Sequence, residues 1–173
     1  MVIVSAAIAL LYFQNTMLVH MVIGSIICCY VAKALKLVIR QERPTKENHR
    51  KKSYGMPSTH SAAVLYYGIY LTHILLYNYG PDAGAGAEPG PSGKGWCLLI
   101  SVLLICSMAA LSRAFNGYHT FAQVYAGMFL GTAFAAMWWS IRLSLYPYID
   151  PIAEVIQLLL SVDFGISPMR QEL

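Results

Sequence analysis

Long apolar stretches separated by short polar segments dominate the pattern of this 173-residue chain. A helix needs about 20 mostly apolar residues to cross the hydrocarbon core of a bilayer. Four stretches qualify as membrane-spanning helices, at residues 16–39, 60–78, 95–111 and 121–145. The pattern therefore predicts an all-α fold, a multi-pass transmembrane helix bundle that forms a single domain over residues 1–173.

Three other segments flank or connect these helices. Residues 2–13 are apolar but short, which predicts part of a longer span or a re-entrant segment. Residues 80–95 are rich in Gly and Pro and predict a flexible loop. Residues 146–173 contain only one short apolar run and predict an interfacial C-terminal segment. Trp138 and Trp139 precede it, where an interfacial aromatic belt would hold them.

Composition agrees with a membrane protein. Apolar residues make up 57% of the chain and charged residues 12%, about half of what a soluble domain carries. Eight of the twelve Lys and Arg residues lie within 33–52 and give that stretch a net charge of +6, whereas the whole chain carries +4. This local basic cluster suits phosphate or anionic lipid and indicates no nucleic-acid partner. The four cysteines form no C-x-x-C and no zinc-ligand spacing with His. They are interpreted as buried thiols, and the sequence predicts no metal and no cofactor.

The order of the helices predicts where any chemistry would lie. The helix ending near residue 39 and the one starting near residue 58 meet the same face of the membrane, and the loop at 80–95 lies on the opposite face. The third helix returns near residue 111 and the fourth leaves near residue 119. Residues 40–60 and 112–120 are therefore expected together at the helix ends on one face.

The first candidate segment carries Lys36, Arg40 and Arg43, spaced as i, i+4 and i+7. On a helix these positions form one basic stripe, and Pro44 is expected to end that helix. The stripe suits phosphate binding. A cluster of cations that snorkels to lipid head groups is the alternative interpretation.

The second candidate segment is the sequence Pro57-Ser58-Thr59-His60. Ser58 is a good N-cap for the following helix, and the free N–H groups of a helix N-terminus favour an anion. His60 lies in the first turn, close to such an anion. A plain capped helix with an interfacial histidine is the alternative.

The third candidate segment runs from Ser112 to Gln123. Arg113 is the only charged residue between residues 94 and 142, and an ionisable group in so apolar a stretch indicates function. Asn116 and Gly117 predict a turn, after which His119 opens the next helix. An arginine that satisfies helix-end carbonyls is the alternative.

The three segments together resemble the type 2 phosphatidic acid phosphatase and haloperoxidase superfamily, whose sequence pattern is K-x6-R-P, P-S-G-H and S-R-x5-H-x3-D. The matching residues are Lys36, Arg43, Pro44, Pro57, Ser58, His60, Ser112, Arg113 and His119. Thr59 stands where the family usually has Gly, and Gln123 stands where it has Asp. Gln at that position is expected in the dolichyldiphosphatase branch.

The resemblance implies a phosphatase in the endoplasmic reticulum membrane that hydrolyses dolichyl diphosphate, a polyprenyl lipid, to recycle the carrier for protein N-glycosylation. It implies that His119 is the nucleophile, that His60 is the general acid, and that Gln123 orients His119. The residues implied to bind phosphate are Lys36, Arg43, Ser58, Thr59, Ser112 and Arg113. The resemblance places this site in the lumen, whereas the positive-inside rule would put residues 40–52 in the cytoplasm.

Three alternatives stay open at this point. One is a phosphatase for other lipids, such as sphingosine phosphate, phosphatidate or another polyprenyl diphosphate. A second is a catalytically silent lipid-binding scaffold on the same fold, which the short N-terminal region and the departures at Thr59 and Gln123 favour. A third is a soluble acid phosphatase or vanadium haloperoxidase, against which the long uncharged tracts argue.

Overall fold

The computed structural model describes residues 16–44, 54–79 and 93–164. The regular structure in these residues is helical throughout, in four helices. They are α1 (Thr16–Ile39), α2 (Thr59–Tyr79), α3 (Gly93–Phe115) and α4 (Phe121–Phe164). The predicted all-α fold is confirmed. The run at 2–13 and the part of the predicted loop at 80–92 lie outside the described residues.

Three of the helices are long and apolar enough to cross a membrane. These candidate spans are Met17–Ile39, Gly95–Phe115 and Phe121–Leu145. The remaining predicted span, at residues 60–78, forms the 21-residue helix α2 but is not among these candidates. Its sequence contains two His, two Thr and five Tyr residues, which lower its hydropathy.

Helix α4 is longer than the sequence predicts. The fourth span is predicted to end at residue 145, yet α4 continues unbroken from Phe121 through Phe164. It passes Pro147 and Pro151, each of which removes one backbone donor from a helix. The helix therefore extends beyond the predicted span, and the interfacial position of residues 146–173 stays a prediction.

The chain divides into two compact units. The larger unit, Ile23–Trp139, contains all the candidate site residues, and the smaller one combines Met1–Val22 with Ser140–Leu173. A buried cluster in the larger unit joins α2, α3 and α4 through Leu65, Ala110 and Val124. Val124 directly follows Gln123, so this packing holds the start of α4 close to its neighbouring helices.

Two glycines allow α4 to approach α2 very closely. A Cβ atom placed on Gly127 would collide with the backbone carbonyl oxygen of Ser58, and one on Gly131 would collide with that of Ala62. Small residues four apart let helix backbones pack in this way. Because Ser58 precedes α2 directly, the contact fixes the first turns of α4 against the N-terminus of α2.

Aromatic packing and the cysteines correct two expectations. Trp139 is only 8% exposed, and its ring meets that of Tyr70 edge-on at 5.4 Å. Trp139 is therefore part of the protein interior and not of an interfacial belt, because Tyr70 and its neighbours cover it. Cys28 is buried as predicted, whereas Cys97 is exposed.

Candidate active site

The first cations of the site come from the end of α1. Helix α1 stops at Ile39, and Arg40 adopts a left-handed backbone with a φ of 52° while its N–H donates to the Lys36 carbonyl at 3.0 Å. The Arg40 Nε–H donates back to a carbonyl of the last turn at 2.9 Å. The predicted basic stripe on one helix is therefore wrong, because the helix ends before Arg43. It also ends well before Pro44, the expected stop, since the left-handed turn redirects the chain.

The N-terminus of α2 supplies neutral donors. The Ser58 Oγ accepts hydrogen bonds from the Ser61 N–H at 3.4 Å and from the Ser61 hydroxyl at 2.9 Å, which confirms the predicted N-cap. The Ser58 N–H donates to the main-chain carbonyl of Gln123 at 3.0 Å. No described residue accepts from the N–H groups of Thr59 and His60, so this helix end retains donors for an anion.

The turn between α3 and α4 is built around Arg113. The Arg113 carbonyl accepts from the N–H of Tyr118 at 3.1 Å and of His119 at 3.2 Å, and the Gly117 N–H donates to Ala114 at 2.9 Å. With Gly117 at a φ of 72°, this is a Schellman motif. The predicted turn is confirmed. It places His119 six residues after Arg113 but within hydrogen-bond distance of the Arg113 main chain.

The start of α4 is a capping box that the sequence analysis missed. The Gln123 N–H donates to the Thr120 Oγ1 at 3.3 Å, and the Thr120 N–H donates to the Gln123 Oε1 at 3.3 Å. The signal was the T-x-x-Q spacing. Helix α4 begins at Phe121, so His119 lies just before the helix and does not open it as predicted.

The side-chain amide of Gln123 determines the tautomer of His119. The Gln123 Nε2 donates to the Glu42 carbonyl at 2.8 Å and to the Gln41 Oε1 at 3.2 Å. The Thr120 N–H can only donate, so the atom it meets must be the amide oxygen. That oxygen lies 3.1 Å from His119 Nδ1. His119 therefore carries its proton on Nδ1, which leaves Nε2 with a free electron pair.

The electrostatics of the site favour neutral His119. This side chain is 5% exposed, and its loss of hydration is the main cause that lowers its pKa below the ordinary value. The positive charges of Arg43, Lys36 and Arg113 lower the pKa further, while the hydrogen bond that His119 donates to Gln123 opposes them. All three predicted cations thus lie near enough to His119 to act on it.

The second histidine lies beside the same arginine. His60 is exposed and outside the three candidate spans, and burial of part of its ring, followed by the charge of Arg113, lowers its pKa. The Arg113 guanidinium lies 4.8 Å from the centre of the Tyr118 ring. Its Nε is buried and meets no hydrogen-bond acceptor among the described residues. An anion between the two histidines would supply one.

Ser112 is the predicted phosphate-binding residue with the least support from the geometry. Its hydroxyl donates to the Ala109 carbonyl at 2.7 Å within α3. The proton is therefore committed to the helix in this conformation. Conversely, Tyr118 and Gln41 were not predicted, because both occupy unspecified positions of the quoted patterns, which give no signal for them.

The arrangement as a whole is suited to phosphoryl transfer. Three cations lie near enough to His119 to lower its pKa, and one of them, Arg113, also acts on the second histidine, His60. Cations and N–H donors stabilise the charge on non-bridging phosphate oxygens in the transition state, and a histidine nitrogen is a competent nucleophile.

Comparison with known proteins agrees with this chemistry. Dolichyldiphosphatase 1 of Dictyostelium discoideum is 32% identical over 123 residues, which cover 68% of this chain and 49% of that protein. Lipid phosphate phosphatase gamma of Arabidopsis thaliana is 28% identical over 134 residues, 76% of this chain and 56% of that protein. A putative dolichyldiphosphatase of Neurospora crassa is 24% identical over 162 residues, 66% of this chain and 57% of that protein.

The chain spans about half the length of these curated relatives. No solved structure matches it significantly. Residues 9–146 match the PAP2 superfamily, and this range includes every residue of the candidate site. On that match, and on its similarity to phosphatases for lipid substrates, the chain belongs to the PAP2 superfamily.

Proposed function

We propose that the chain hydrolyses dolichyl diphosphate to dolichyl phosphate and inorganic phosphate through a phosphohistidine intermediate. The observation that carries the proposal is the hydrogen bond of 3.1 Å between His119 Nδ1 and Gln123 Oε1. It leaves the other ring nitrogen unprotonated beside Lys36, Arg43 and Arg113. A neutral imidazole among phosphate-binding cations is the state that a histidine nucleophile requires.

The steps follow from this geometry. The His119 Nε2 attacks the terminal phosphorus, and the bond from that phosphorus to the bridging oxygen breaks. His60 donates its proton to the departing dolichyl phosphate. Water then attacks the phosphohistidine, His60 accepts a proton from it, and phosphate leaves with His119 restored. Arg43, Arg113 and Lys36 hold the non-bridging oxygens throughout, and the N–H groups at the start of α2 add neutral donors.

The lipid part of the proposal rests on the relatives and on the position of the site. Two of the similar proteins are named dolichyldiphosphatases, and others are named lipid phosphate phosphatases. A site at the ends of membrane-spanning helices suits a substrate whose head group is polar and whose tail stays in the bilayer. The second candidate function is therefore hydrolysis of a lipid monophosphate such as phosphatidate, at the same residues.

The experiment is phosphate release by the detergent-purified chain in EDTA, with dolichyl diphosphate, phosphatidate and sphingosine phosphate offered side by side. We expect preference for the diphosphate and loss of turnover in His119→Ala. His73→Ala is the matched control, since His73 contacts a carbonyl of its own helix through Nδ1. Turnover of monophosphates alone would move the chain to the second candidate function, and a His119→Ala variant with full turnover would refute the mechanism.

A trapping experiment tests the intermediate directly. Labelled substrate quenched in alkali should leave label on the wild-type protein, and acid should remove it, because phosphohistidine is acid-labile. His60→Asn should slow formation of this adduct when the leaving group needs a proton. Label that survives in His119→Ala would assign the nucleophile to another residue.

We also propose that the site faces the lumen of the endoplasmic reticulum and serves the recycling of the glycosylation carrier. Two of the basic residues at 33–52, Lys36 and Arg43, are proposed substrate ligands, so they are poor reporters of topology by charge. A glycosylation-acceptor tag inserted within residues 45–52 should be modified in the endoplasmic reticulum. A matched tag in residues 82–92, on the face expected to be opposite, should stay unmodified, and the reverse pattern would refute the luminal assignment.

A further inference from the structure

Gln123 contacts more of the site than its bond to His119 requires. Its amide oxygen accepts from His119 Nδ1 and from the Thr120 N–H. Its main-chain carbonyl accepts from the Ser58 N–H at 3.0 Å. Its amide nitrogen carries two protons, and both are donated to the segment that follows α1. These are the bonds to the Glu42 carbonyl at 2.8 Å and to the Gln41 Oε1 at 3.2 Å.

The segment that receives these two protons needs external contacts to hold its position. Residues 41–44 form no helix or strand. The Gln41 carbonyl accepts from the Gly55 N–H at 2.7 Å, which ties the segment to the chain just before α2. Arg43 follows Glu42 directly, so a main-chain bond at Glu42 restricts where the Arg43 Cα can lie. The contacts of Gln123 thus bear on a phosphate-binding cation as well as on the nucleophile.

We propose that Gln41 and the main chain of Glu42 are positioning elements of this site. By accepting both amide protons of Gln123, they fix the position of Arg43 relative to His119. The inference rests on the phosphate-binding role proposed for Arg43. It assigns a role to Gln41, which occupies one of the unspecified positions of the K-x6-R-P pattern. It also gives the donor half of the Gln123 amide a role separate from its orientation of His119.

The chemistry of the amide explains why a carboxylate would not serve here. A carboxylate at residue 123 could accept from His119, but it has no proton to donate. It would face the Glu42 carbonyl, which can only accept, so the two oxygens would repel one another and neither donated bond would be replaced there. Gln123 itself is fully buried, so its side chain has little access to water. The acceptors at residues 41 and 42 therefore require a side chain at residue 123 that can donate hydrogen bonds, which Gln can and a carboxylate cannot.

The test measures binding of inorganic phosphate to the detergent-purified full chain by phosphorus NMR, which does not depend on turnover. Gln41→Leu removes the acceptor at an exposed position, so the variant should fold. We expect its dissociation constant for phosphate to rise about two- to tenfold, the loss typical of one neutral hydrogen bond. Gln41→Asn keeps an amide oxygen without adding a charge, and it should lose less phosphate affinity than Gln41→Leu.

Two further variants separate positioning from general damage. Ser101→Ala removes an exposed hydroxyl that bonds within its own helix, and it should change nothing. Gln123→Leu loses both donated bonds without adding a charge, so it should weaken phosphate binding. Adding Gln41→Leu to it should then have no further effect, because the shared bond is already lost.

The outcomes distinguish this inference from the proposed function. Phosphate affinity in Gln41→Leu equal to the wild type, or additive losses in the double variant, would overturn the positioning role. Turnover that survives in His119→Ala would overturn the mechanism while leaving the phosphate measurement valid. A wild-type chain without measurable affinity for phosphate would overturn both.

Discussion

Replacing Gly127 by alanine tests whether the close approach of α4 to α2 sets the geometry of the site. A Cβ on Gly127 would collide with the Ser58 carbonyl oxygen and would lie 3.1 Å from the Ser61 Cβ. A backbone carbonyl cannot rotate away, so the helices must separate by about 1 Å to regain ordinary contact. This movement acts at the place where the Ser58 N–H meets the Gln123 carbonyl.

The expected effect on stability is small and the effect on activity is large. Overpacking of this kind costs about 1–3 kcal/mol, and alanine recovers about 1 kcal/mol through its better helix propensity. The free energy of unfolding should therefore fall by about 0–2 kcal/mol. A displacement of about 1 Å between reacting groups can reduce catalysis about a hundredfold, and we expect kcat/KM to fall by that order.

The assay combines phosphate release with thermal unfolding of the detergent-solubilised protein, so that activity and folding are read separately. Gly68→Ala is the matched control. A Cβ there would meet the Cys106 Sγ at 2.8 Å, but this atom belongs to a side chain that can turn away. Gly68→Ala should keep near wild-type activity. A folded Gly127→Ala protein with kcat/KM within about twofold of the wild type would refute the reasoning.

Four further substitutions follow from the site. Gln123→Leu removes the bond that raises the pKa of His119, so that pKa should fall further. The acidic limb of the profile of kcat/KM against pH should then move to lower pH, and the maximum of the profile should be lower. An unmoved acidic limb would exclude His119 as the ionising group. Tyr118→Leu removes the ring beside Arg113 and should raise KM about two- to fivefold, as expected for a loss of about 0.5–1 kcal/mol; an unchanged KM would show that the ring does not position the guanidinium. Arg113→Lys retains the charge but loses the planar fork, and we expect kcat/KM to fall at least about tenfold; a fully active variant would mean that charge alone suffices. Ser58→Ala should lower the free energy of unfolding by about 1 kcal/mol, measured against Ser144→Ala, because only Ser58 caps a helix; equal stabilities would refute the cap.

Three of the helices were predictable because each is a long apolar run that hydropathy alone locates. Helix α2 was also predicted, although its His, Thr and Tyr residues lower its hydropathy. Their ends were less predictable. Basic residues at helical spacing suggested that α1 continues to Arg43, but the left-handed backbone of Arg40 ends it at Ile39. Helix α4, in contrast, is longer than predicted. Prolines usually mark helix boundaries, but α4 continues past two of them.

The convergence of the site was predictable in outline and its bonds were not. Helix order predicts that residues 40–60 and 112–120 lie at one face, and the hydrogen bonds between Gln41, Glu42, Ser58 and Gln123 join these regions. The pairing of Gln41 with Gln123 spans 82 residues of sequence. No spacing rule reaches that far, because the contact depends on how α1 ends and on how closely α4 packs against α2.

The neutral residue at position 123 also changes the charge balance of the site. Lys36, Arg43 and Arg113 contribute three positive charges that lower the pKa of His119, and an uncharged amide at residue 123 adds no negative charge that would offset them. A carboxylate at this place would stabilise a protonated histidine, but it would also cancel part of the attraction for an anionic head group. A diphosphate carries more negative charge than a monoester. We therefore expect the proposed site, with no carboxylate at residue 123, to be better suited to hold a diphosphate, while the proposed nucleophile His119 stays neutral through burial and neighbouring cations.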